Sequence, residues 1–376
     1  MKLLYDISFI TMDNITKGIP VHSLRILHAI PLDDRHDMTL LIDNEMQSYV
    51  KEELKEYKYL VYPHFSSTLQ KIYNRLFGKL VYKHVVNSGD FEALIVPDEY
   101  RYTTIQKFKK PKFIFCHDLK GTKETYNSSI KKMRMRRRLY HDAIKTSDLV
   151  FAISQYTKND IQRLYPDTDM TKVFVIYNSI EIASSSKKPD SLGIDSPFIL
   201  SVNHLDSYKN ALTTIKAFSL ISKDYSGNLV IVSKPTKYWM EECLPYIKQE
   251  KLDDRIILLS NLSNSELRWL YENADLFVSS SSHEGFGFTP IEAAVCGCPV
   301  ICTDVEALPE TTMGNLYYYS PPTDEEVLAQ KITSVMNTPP SKSRLNEIAD
   351  EFIVKYSPQC QVHMMEKLIS DYFSSK

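Results

Sequence analysis

The chain has 376 residues, of which 43% are hydrophobic and 24% charged, with 45 Lys and Arg against 47 Asp and Glu. This composition is typical of folded proteins, and the length suffices for about two to three domains of roughly 150 residues. A net charge of -2 gives no support for a nucleic-acid-binding protein. No window approaches the ~18 apolar residues of a membrane span, and the first residues lack a signal peptide's apolar core. We therefore expect a cytoplasmic protein.

Short apolar runs alternate with helix-length segments along the whole chain. The runs lie at 3–9, 38–42, 57–62, 91–97, 112–117, 148–154, 172–177, 198–203, 228–233, 255–260, 274–280, 299–303 and, more weakly, 316–320. The segments between them include 155–164, 209–223, 236–249 and 263–272. Continuous apolar strands joined by helices predict parallel sheets covered on both faces, and hence an α/β, doubly wound fold.

A polar segment at 182–196, rich in Ser and Lys, interrupts this alternation and is typical of a linker. It predicts two Rossmann-like domains, over residues 1–185 and 186–357, that face each other across one cleft. Residues 358–376 carry apolar side chains at helical spacing. We expect them to form a helix that packs back on the first domain.

Charge is unevenly distributed between the two halves. Residues 1–185 hold 28 basic and 22 acidic side chains, whereas the remaining residues hold 17 and 25. The densest run is KKMRMRRR at 131–138. Such a run is usually a solvated helix face. It can also hold a protein on the inner, anionic membrane face at about 1 kcal/mol per basic residue, and both interpretations stay open.

Three of the six cysteines, Cys296, Cys298 and Cys302, lie within one short segment, which suggests a metal site. The chain has no Cys-x-x-Cys pair and no fourth ligand at a spacing suited to zinc. We therefore expect no metal and reduced thiols that pack where a helix ends and a strand begins.

A glycine-containing loop follows the apolar run at 274–280. Gly285 and Gly287 allow a tight turn. Thr289 and Pro290 are typical of a helix N-cap and of the first helical residue, so a helix is predicted over 290–296. Its free N–H groups would then face the loop and form a site of the kind that holds phosphate.

Two glutamates flank this loop. Glu292 falls in the first turn of the predicted helix, where a carboxylate can serve simply as the capping partner of Thr289. Glu284 precedes the loop, where no capping rule requires a carboxylate. The position of Glu284 therefore favours a role in binding or catalysis.

The spacing Glu284-x7-Glu292 within HEGFGFTPIEAAVCGCPV resembles the E-x7-E motif of the retaining nucleotide-sugar glycosyltransferases of family 4, which have the GT-B fold. Other segments resemble landmarks of that family in the same order, over nearly the whole chain. They are TKGIPVHSLRIL around Gly18, HDLKGTKETY at 117–126, FAISQYTKNDI at 151–161, VIYNSIE at 175–181, SVNHLDSYKNALTTIKAF at 201–218 and ALPE at 307–310.

The resemblance implies a metal-independent enzyme that moves a sugar, with retention, from a nucleotide diphosphate sugar to a glycan or lipid-linked glycan in cell-surface polysaccharide assembly. The donor is a substrate, and no cofactor is implied. His117, Lys209 and Glu284 are the implied catalytic residues. Lys209 would neutralise charge on the leaving phosphate. His117, oriented by Asp118, would lie beside the donor sugar, and Glu284 would contact sugar hydroxyls.

The same resemblance implies a set of donor-binding residues. Glu292 would bind the ribose hydroxyls, and Gly18 would let the backbone approach the donor closely. His204 stands where the family usually has arginine, so it can either donate to phosphate or merely pack. The other implied donor-binding residues are Gly285, Phe286, Gly287, Phe288 and Thr289.

Two other functions fit the same fold. A synthase or phosphorylase would act on small soluble sugars. A catalytically degenerate subunit is favoured by His204 and by Ser179, which stands where the family usually has glycine. An NAD-dependent dehydrogenase is set aside, because no G-x-G-x-x-G follows the first strand.

Overall fold

The computed structural model describes residues 1–15, 18–62, 80–87, 89–97, 108–123, 129–193 and 197–376. These residues form two compact units. The first comprises Met1–Ser179 and Pro358–Lys376, and the second comprises Ile180–Ser357. The predicted boundary after residue 185 therefore lies inside the second unit, where Ile180 N donates to the Tyr356 carbonyl at 2.8 Å.

Each unit contains one sheet, and every strand pairing recorded between the described residues is parallel. The first sheet consists of Leu3–Asp6 (β1), Met38–Asp43 (β2), Lys58–Tyr62 (β3), Ala93–Val96 (β4), Lys112–Cys116 (β5), Leu149–Ala152 (β6) and Val173–Val175 (β7). The second consists of Phe198–Val202 (β8), Asn228–Val232 (β9), Ile256–Leu259 (β10), Leu276–Ser279 (β11), Val300–Thr303 (β12) and Tyr317–Tyr319 (β13).

Helices join and cover the strands, as the alternation of apolar runs with helix-length segments predicted. They are Gly18–Ala29 (α1), Gln47–Glu53 (α2), Ile130–Thr146 (α3), Gln155–Leu164 (α4), Ala211–Ile221 (α5), Leu244–Gln249 (α6), Asn264–Asn273 (α7), Phe288–Val295 (α8), Leu308–Thr311 (α9), Glu325–Asn337 (α10), Lys342–Lys355 (α11) and Pro358–Ser374 (α12). Residues 80–87 are also helical. The predicted α/β, doubly wound fold class is confirmed.

Burial on both faces explains why the strands are continuously apolar. In β1, Tyr5 packs in one hydrophobic cluster and Leu4 in another, because neighbouring side chains of a strand point to opposite faces. Both side chains are fully buried. A strand that is covered by helices on both faces has no solvent-facing position for polar residues.

The strand order changes direction once in each sheet. The first sheet has the order β3-β2-β1-β4-β5-β6-β7, and the second has β10-β9-β8-β11-β12-β13. Ligands of such sheets bind outside the carboxyl ends of the strands at this switch point. Side chains that follow β1 and β4 in one unit, and β8 and β11 in the other, are therefore placed for binding.

Helix α12 belongs to the first unit. Its side chains Val362, Met365 and Ile369 are buried in the cluster that contains Tyr5. Near its end, the Tyr372 hydroxyl donates to Asp148 Oδ1 at 2.7 Å. The last helix thus completes one face of the first sheet.

We predict that Ile369→Ala lowers the free energy of unfolding of the first unit by about 2–5 kcal/mol, because it leaves a cavity in a closely packed cluster. Urea denaturation measures the loss. Lys367→Ala, on an exposed position of the same helix, is the matched control. Equal stability of the two variants would show that α12 adds nothing to this core.

Candidate active site

The second unit brings Lys209 and Glu284 together at its switch point. Lys209 ends the 3-10 turn Ser207–Lys209 after β8, and Glu284 follows β11. Because β8 and β11 are parallel neighbours, the loops after them leave the same edge of the sheet side by side. Lys209 Nζ forms an ion pair with Glu284 Oε1, and each side chain is 15% exposed.

Hydrogen bonds from polar side chains connect the loops that follow β8 and β11. Asn210, the αL residue before α5, donates from Nδ2 to the Ser280 carbonyl at 2.9 Å. In return, Ser280 Oγ donates to the Lys209 carbonyl at 3.0 Å. Ser281 Oγ donates to Glu284 Oε1 at 2.9 Å. The run of serines before Glu284 therefore holds the ion pair in place, a role that sequence analysis missed.

The structure does not bring His204 to this pair. Its ring Nδ1 lies 3.2 Å from Asp206 Oδ2, and its side chain is 65% exposed. No hydrogen bond or ion pair joins His204 to Lys209 or Glu284 among the described residues. Lys209 itself lies two residues before α5 instead of opening that helix, as the predicted span 209–223 implied.

The helix after the glycine loop begins two residues earlier than predicted. Helix α8 begins at Phe288 and has Gly287 as its N-cap, so the predicted N-cap at Thr289 is wrong. Gly287 has φ 88°, a conformation that favours glycine, and a Cβ added there would lie 2.4 Å from Leu308 Cδ2. The first N–H groups of α8 therefore lie closer to Glu284 along the chain than the sequence suggested.

Glu292 lies on α8, beyond its first turn. The Tyr271 hydroxyl donates to Glu292 Oε2 at 3.3 Å, and burial raises the pKa of Tyr271, so the phenol remains a donor. Because α8 begins before Thr289, the capping-box interpretation of Glu292 is wrong. Glu292 is partly exposed and is held by a buried phenol from α7.

The phenylalanines of the loop differ in their surroundings. Phe286 is 2% exposed, and its ring lies 5.1 Å from that of Tyr356 and 5.0 Å from that of Phe288. The side chain of Phe286 is therefore part of the core and anchors the loop. Gly285 and Thr289 are partly exposed beside it.

A third glutamate lies at this edge and was missed by sequence analysis. Glu306 follows β12, the neighbour of β11, and its Oε2 accepts a hydrogen bond from Glu284 N at 2.8 Å. Its Oε1 lies 3.1 Å from His283 Nδ1. The sequence signal was weak, because a single carboxylate before ALPE does not reveal a partner 22 residues away.

In the first unit, His117 follows β5 and is buried. Its Nε2 lies 2.9 Å from the Pro97 carbonyl, which can only accept, so Nε2 carries the proton. Burial lowers the pKa of His117 to about 4, so the ring is neutral at pH 7 and Nδ1 is an acceptor. Asp118 does not orient the ring as predicted. It accepts from Lys120 N at 3.1 Å and pairs with the Lys120 ammonium at 3.3 Å.

A buried histidine on α1 lies beside His117. The rings of His22 and His117 are perpendicular, with centroids 4.9 Å apart. Gln361 of α12 lies 2.6 Å from His22 Nε2, and its Oε1 accepts from Ser179 N at 3.2 Å. Burial lowers the pKa of His22 well below its usual value. The C-terminal helix thus contributes a polar side chain that contacts His22, which its apolar spacing did not indicate.

Gly18 is the first residue of α1, directly after the β1 loop. A Cβ added to Gly18 meets no atom of the described residues within 4 Å. Thr16 and Lys17 of the same motif lie outside the described residues, as do residues 124–126 of the segment that begins at His117.

The basic run 131–138 lies on α3 and divides into two sets of side chains. Arg136 and Arg137 point to the loop after β5: Arg137 Nε donates to the Thr122 carbonyl at 2.7 Å, and a Cβ on Gly121 would lie 2.4 Å from an Arg136 guanidinium nitrogen. The exposed set consists of Lys131, Lys132, Arg134 and Arg138, flanked by the exposed apolar side chains Ile130 and Met135.

The described residues contain no candidate membrane-spanning helix and no candidate metal site. None of the helices found there is long and apolar enough to cross a membrane. In the same part of the chain, no three or more His, Cys, Asp or Glu side chains are grouped so that they could hold a metal ion. Cys298 and Cys302 are buried, and burial raises the pKa of both thiols.

Residues 184–352 match the family model described as glycosyl transferases group 1. The O-antigen chain mannosyltransferase RfbU of Salmonella typhimurium is 31% identical over 204 residues, which are 54% of this chain and 55% of that protein. An N-acetylgalactosaminyltransferase of Campylobacter jejuni, named for a diphospho-undecaprenol acceptor, is 28% identical over 48% of this chain and 47% of its own. The chain thus spans about half the length of these curated relatives.

Solved structures resemble the chain over its whole length. The superposition on sucrose-phosphate synthase from Thermosynechococcus elongatus covers 100% of both chains, with a TM-score of 0.81 and 16% identity. A glycosyltransferase from Rickettsia africae covers 100% of this chain and 99% of its own, with a TM-score of 0.73 and 18% identity. At these identities the likeness establishes the fold.

The two Rossmann-like units and these structural neighbours define a protein with the GT-B fold. Residues 184–352, which include Lys209, Glu284 and Glu292, match the family model of the group 1 glycosyl transferases. The resemblance found in the sequence is confirmed at this level, and the narrower assignment to family 4 stays a prediction.

We predict that His117 stays neutral down to about pH 4. Its folded-state pKa lies below the unfolded value of about 6.5, so the unfolded chain binds the proton more readily between these values. This contribution to stability is complete above the unfolded pKa and is lost as the pH falls toward the folded one. NMR titration of the ring, assigned with His117→Gln, measures the midpoint. A midpoint near 6.5 would contradict the burial of this ring.

Proposed function

We propose that this protein is a glycosyltransferase that moves a sugar from a nucleotide diphosphate sugar to a glycan or lipid-linked glycan during assembly of a cell-surface polysaccharide. The observation that carries this proposal is the Lys209–Glu284 pair at the switch point of the group 1 unit. The names of the Salmonella and Campylobacter relatives, which refer to O-antigen chains and to diphospho-undecaprenol, support this class of acceptor.

The chemistry of the leaving group fits the positive groups at this edge. When the sugar leaves its donor, negative charge builds on the diphosphate. The Lys209 ammonium and the free N–H groups of α8 can neutralise that charge in place. We therefore propose transfer without a metal ion. Retention of configuration is proposed from the resemblance of Glu284-x7-Glu292 to the E-x7-E motif.

The ion pair implies an exchange of partners when the donor binds. Glu284 forms an ion pair with Lys209, so a diphosphate has to compete with the carboxylate for the ammonium. Once phosphate binds Lys209, Glu284 is released to accept hydrogen bonds from hydroxyls of the donor sugar. The two members of this ion pair would thus bind the two parts of the donor, Lys209 the diphosphate and Glu284 the sugar.

Two other side chains suit hydroxyl groups of the donor. Neutral His117 presents Nδ1 as an acceptor, because Nε2 is bound to the Pro97 carbonyl. Glu292 is partly exposed and is held by Tyr271, and a carboxylate can accept from both hydroxyls of a ribose. We propose that His117 accepts from the sugar and Glu292 from the ribose.

We also propose that the protein works in the cytoplasm at the inner membrane face, held there by the exposed set on α3. Four cationic side chains, Lys131, Lys132, Arg134 and Arg138, would approach anionic lipid headgroups. Ile130 and Met135, 64% and 66% exposed, would add apolar contact at the same surface. A lipid-linked acceptor would be reached most readily from this position.

We predict opposite effects of two substitutions on the binding of nucleotide diphosphates. Lys209→Ala removes a charge-assisted contact of about 1.5–3 kcal/mol, so kcat/KM for the donor should fall about ten- to a hundredfold, with the loss divided between affinity and turnover. Glu284→Gln frees the ammonium, so affinity should be kept or increased while turnover falls. Calorimetry over a panel of nucleotide diphosphates and donor-hydrolysis kinetics measure the two quantities.

Lys216→Ala is the matched control, since Lys216 pairs with Glu325 at 3.2 Å elsewhere in the same unit. It should leave both quantities unchanged. Glu292→Gln should raise the Michaelis constant of the donor with little change in turnover. If no nucleotide diphosphate binds the parent protein, the proposed function is wrong. Transfer to small soluble sugars alone would favour the synthase or phosphorylase.

We predict that replacing Lys131, Lys132, Arg134 and Arg138 by Gln weakens binding to phosphatidylglycerol-rich vesicles by about 4 kcal/mol if all four approach the surface. Donor hydrolysis in solution should hardly change, because Arg136 and Arg137, which contact the loop after β5, are kept. Co-sedimentation at low and high salt measures the effect.

The control removes the same charge elsewhere on the first unit. It replaces by Gln the exposed side chains Lys51, Lys55, Lys58 and Lys83. This variant should bind the vesicles nearly as well as the parent. Equal losses in both variants would mean that net charge, and not the α3 surface, governs the association.

A further inference from the structure

Glu306 occupies a backbone conformation that is costly for its residue type. Its φ is 51°, in the left-handed region, and the residue is not glycine. A side chain in this region persists where surrounding contacts require it, and such residues concentrate at functional sites. The side chain of Glu306 is 13% exposed, so these contacts lie inside the unit.

The contacts of Glu306 converge on Glu284. Glu306 Oε2 accepts from the Glu284 backbone N–H at 2.8 Å, and Ala307 N donates to the Glu284 carbonyl at 3.3 Å. Consecutive residues after β12 thus bind both polar groups of the Glu284 backbone. Glu306 Oε1 lies 3.1 Å from His283 Nδ1, so the carboxylate also fixes the residue before Glu284.

The left-handed turn explains how one residue makes these contacts. The short connection from β12 to α9 spans 304–307, and it has to face the loop after β11. With Glu306 in this conformation, its side chain and the next N–H both reach the Glu284 backbone. The backbone conformation at position 306 favours glycine, but glycine has no side chain and cannot supply the carboxylate.

We propose that Glu306 is a positioning residue for transfer: it holds the Glu284 peptide so that the Glu284 carboxylate is aimed at Lys209 and, once the donor binds, at the sugar. This inference rests on the proposed function and extends it to a residue that does not touch substrate. The carboxylate at 306 fixes the geometry of the site, which explains why a residue other than glycine adopts the left-handed conformation there.

The test uses Glu306→Gly, which relieves the backbone and removes the carboxylate. The thermal midpoint should stay within about 4 °C of the parent value, because relief of the backbone and loss of the contacts to Glu284 and His283 oppose each other. Turnover should fall about ten- to a hundredfold, as expected for one charge-assisted hydrogen bond. Affinity for free nucleotide diphosphate should stay within about threefold, because Lys209 is kept.

Lys251→Gly is the matched control. Lys251 also has a positive φ, 57°, and is exposed in the same unit away from Glu284. It should stabilise the fold without changing turnover. Glu306→Gln keeps an oxygen that can accept from Glu284 N–H and should recover much of the turnover that Glu306→Gly loses.

A double-mutant cycle distinguishes positioning from a general effect. If Glu306 acts through Glu284, Glu306→Gly should cost little further turnover in a Glu284→Gln background. Full additivity, or parent-like turnover in Glu306→Gly, would overturn the inference. The assay requires a parent protein that binds and turns over a donor. Failure of the proposed function would therefore appear in the parent and is distinct from failure of the role of Glu306.

Discussion

The parallel pairing of β8 with β11 is the constraint on which the candidate site depends. These strands are distant in sequence, and the chain returns to β8 only after completing β9 and β10. Their carboxyl ends lie side by side, so the loops that carry Lys209 and Glu284 meet. Sheet topology brings the two loops together, and hydrogen bonds of Asn210, Ser280 and Ser281 then hold the ion pair in place.

The Lys209–Glu284 pair is better explained by function than by stability. Two charges that are largely removed from water lose hydration, and their attraction does not necessarily repay that loss. The chain nevertheless surrounds the pair with donors such as Ser281 and fixes the Glu284 backbone through Glu306. Such support is what the proposed exchange of Glu284 for a diphosphate at Lys209 requires, because the cation and the carboxylate must be held in fixed positions.

The candidate site residues His22 and His117 of the first unit are neutral, whereas Lys209 and Glu284 of the second unit are charged. Burial keeps His117 and His22 uncharged, and the Pro97 carbonyl and Gln361 determine which nitrogen of each ring carries a proton. A neutral acceptor suits a sugar hydroxyl, whereas a cation suits a phosphate. Each kind of group therefore lies in an environment that suits its charge.

The α/β class, the strands and the glycine loop before α8 could be predicted from the sequence, because apolar periodicity and glycine positions are local signals. The start of α8 was not predicted correctly: Gly287 is the N-cap in place of Thr289, with φ 88° and no room for a Cβ beside Leu308. The hydrogen bond from Glu284 N to Glu306 and the absence of a contact between His204 and Lys209 among the described residues became evident only from the folded chain. The physical reason is that hydrogen bonds between loops of neighbouring strands depend on sheet order, which spacing along the chain does not encode.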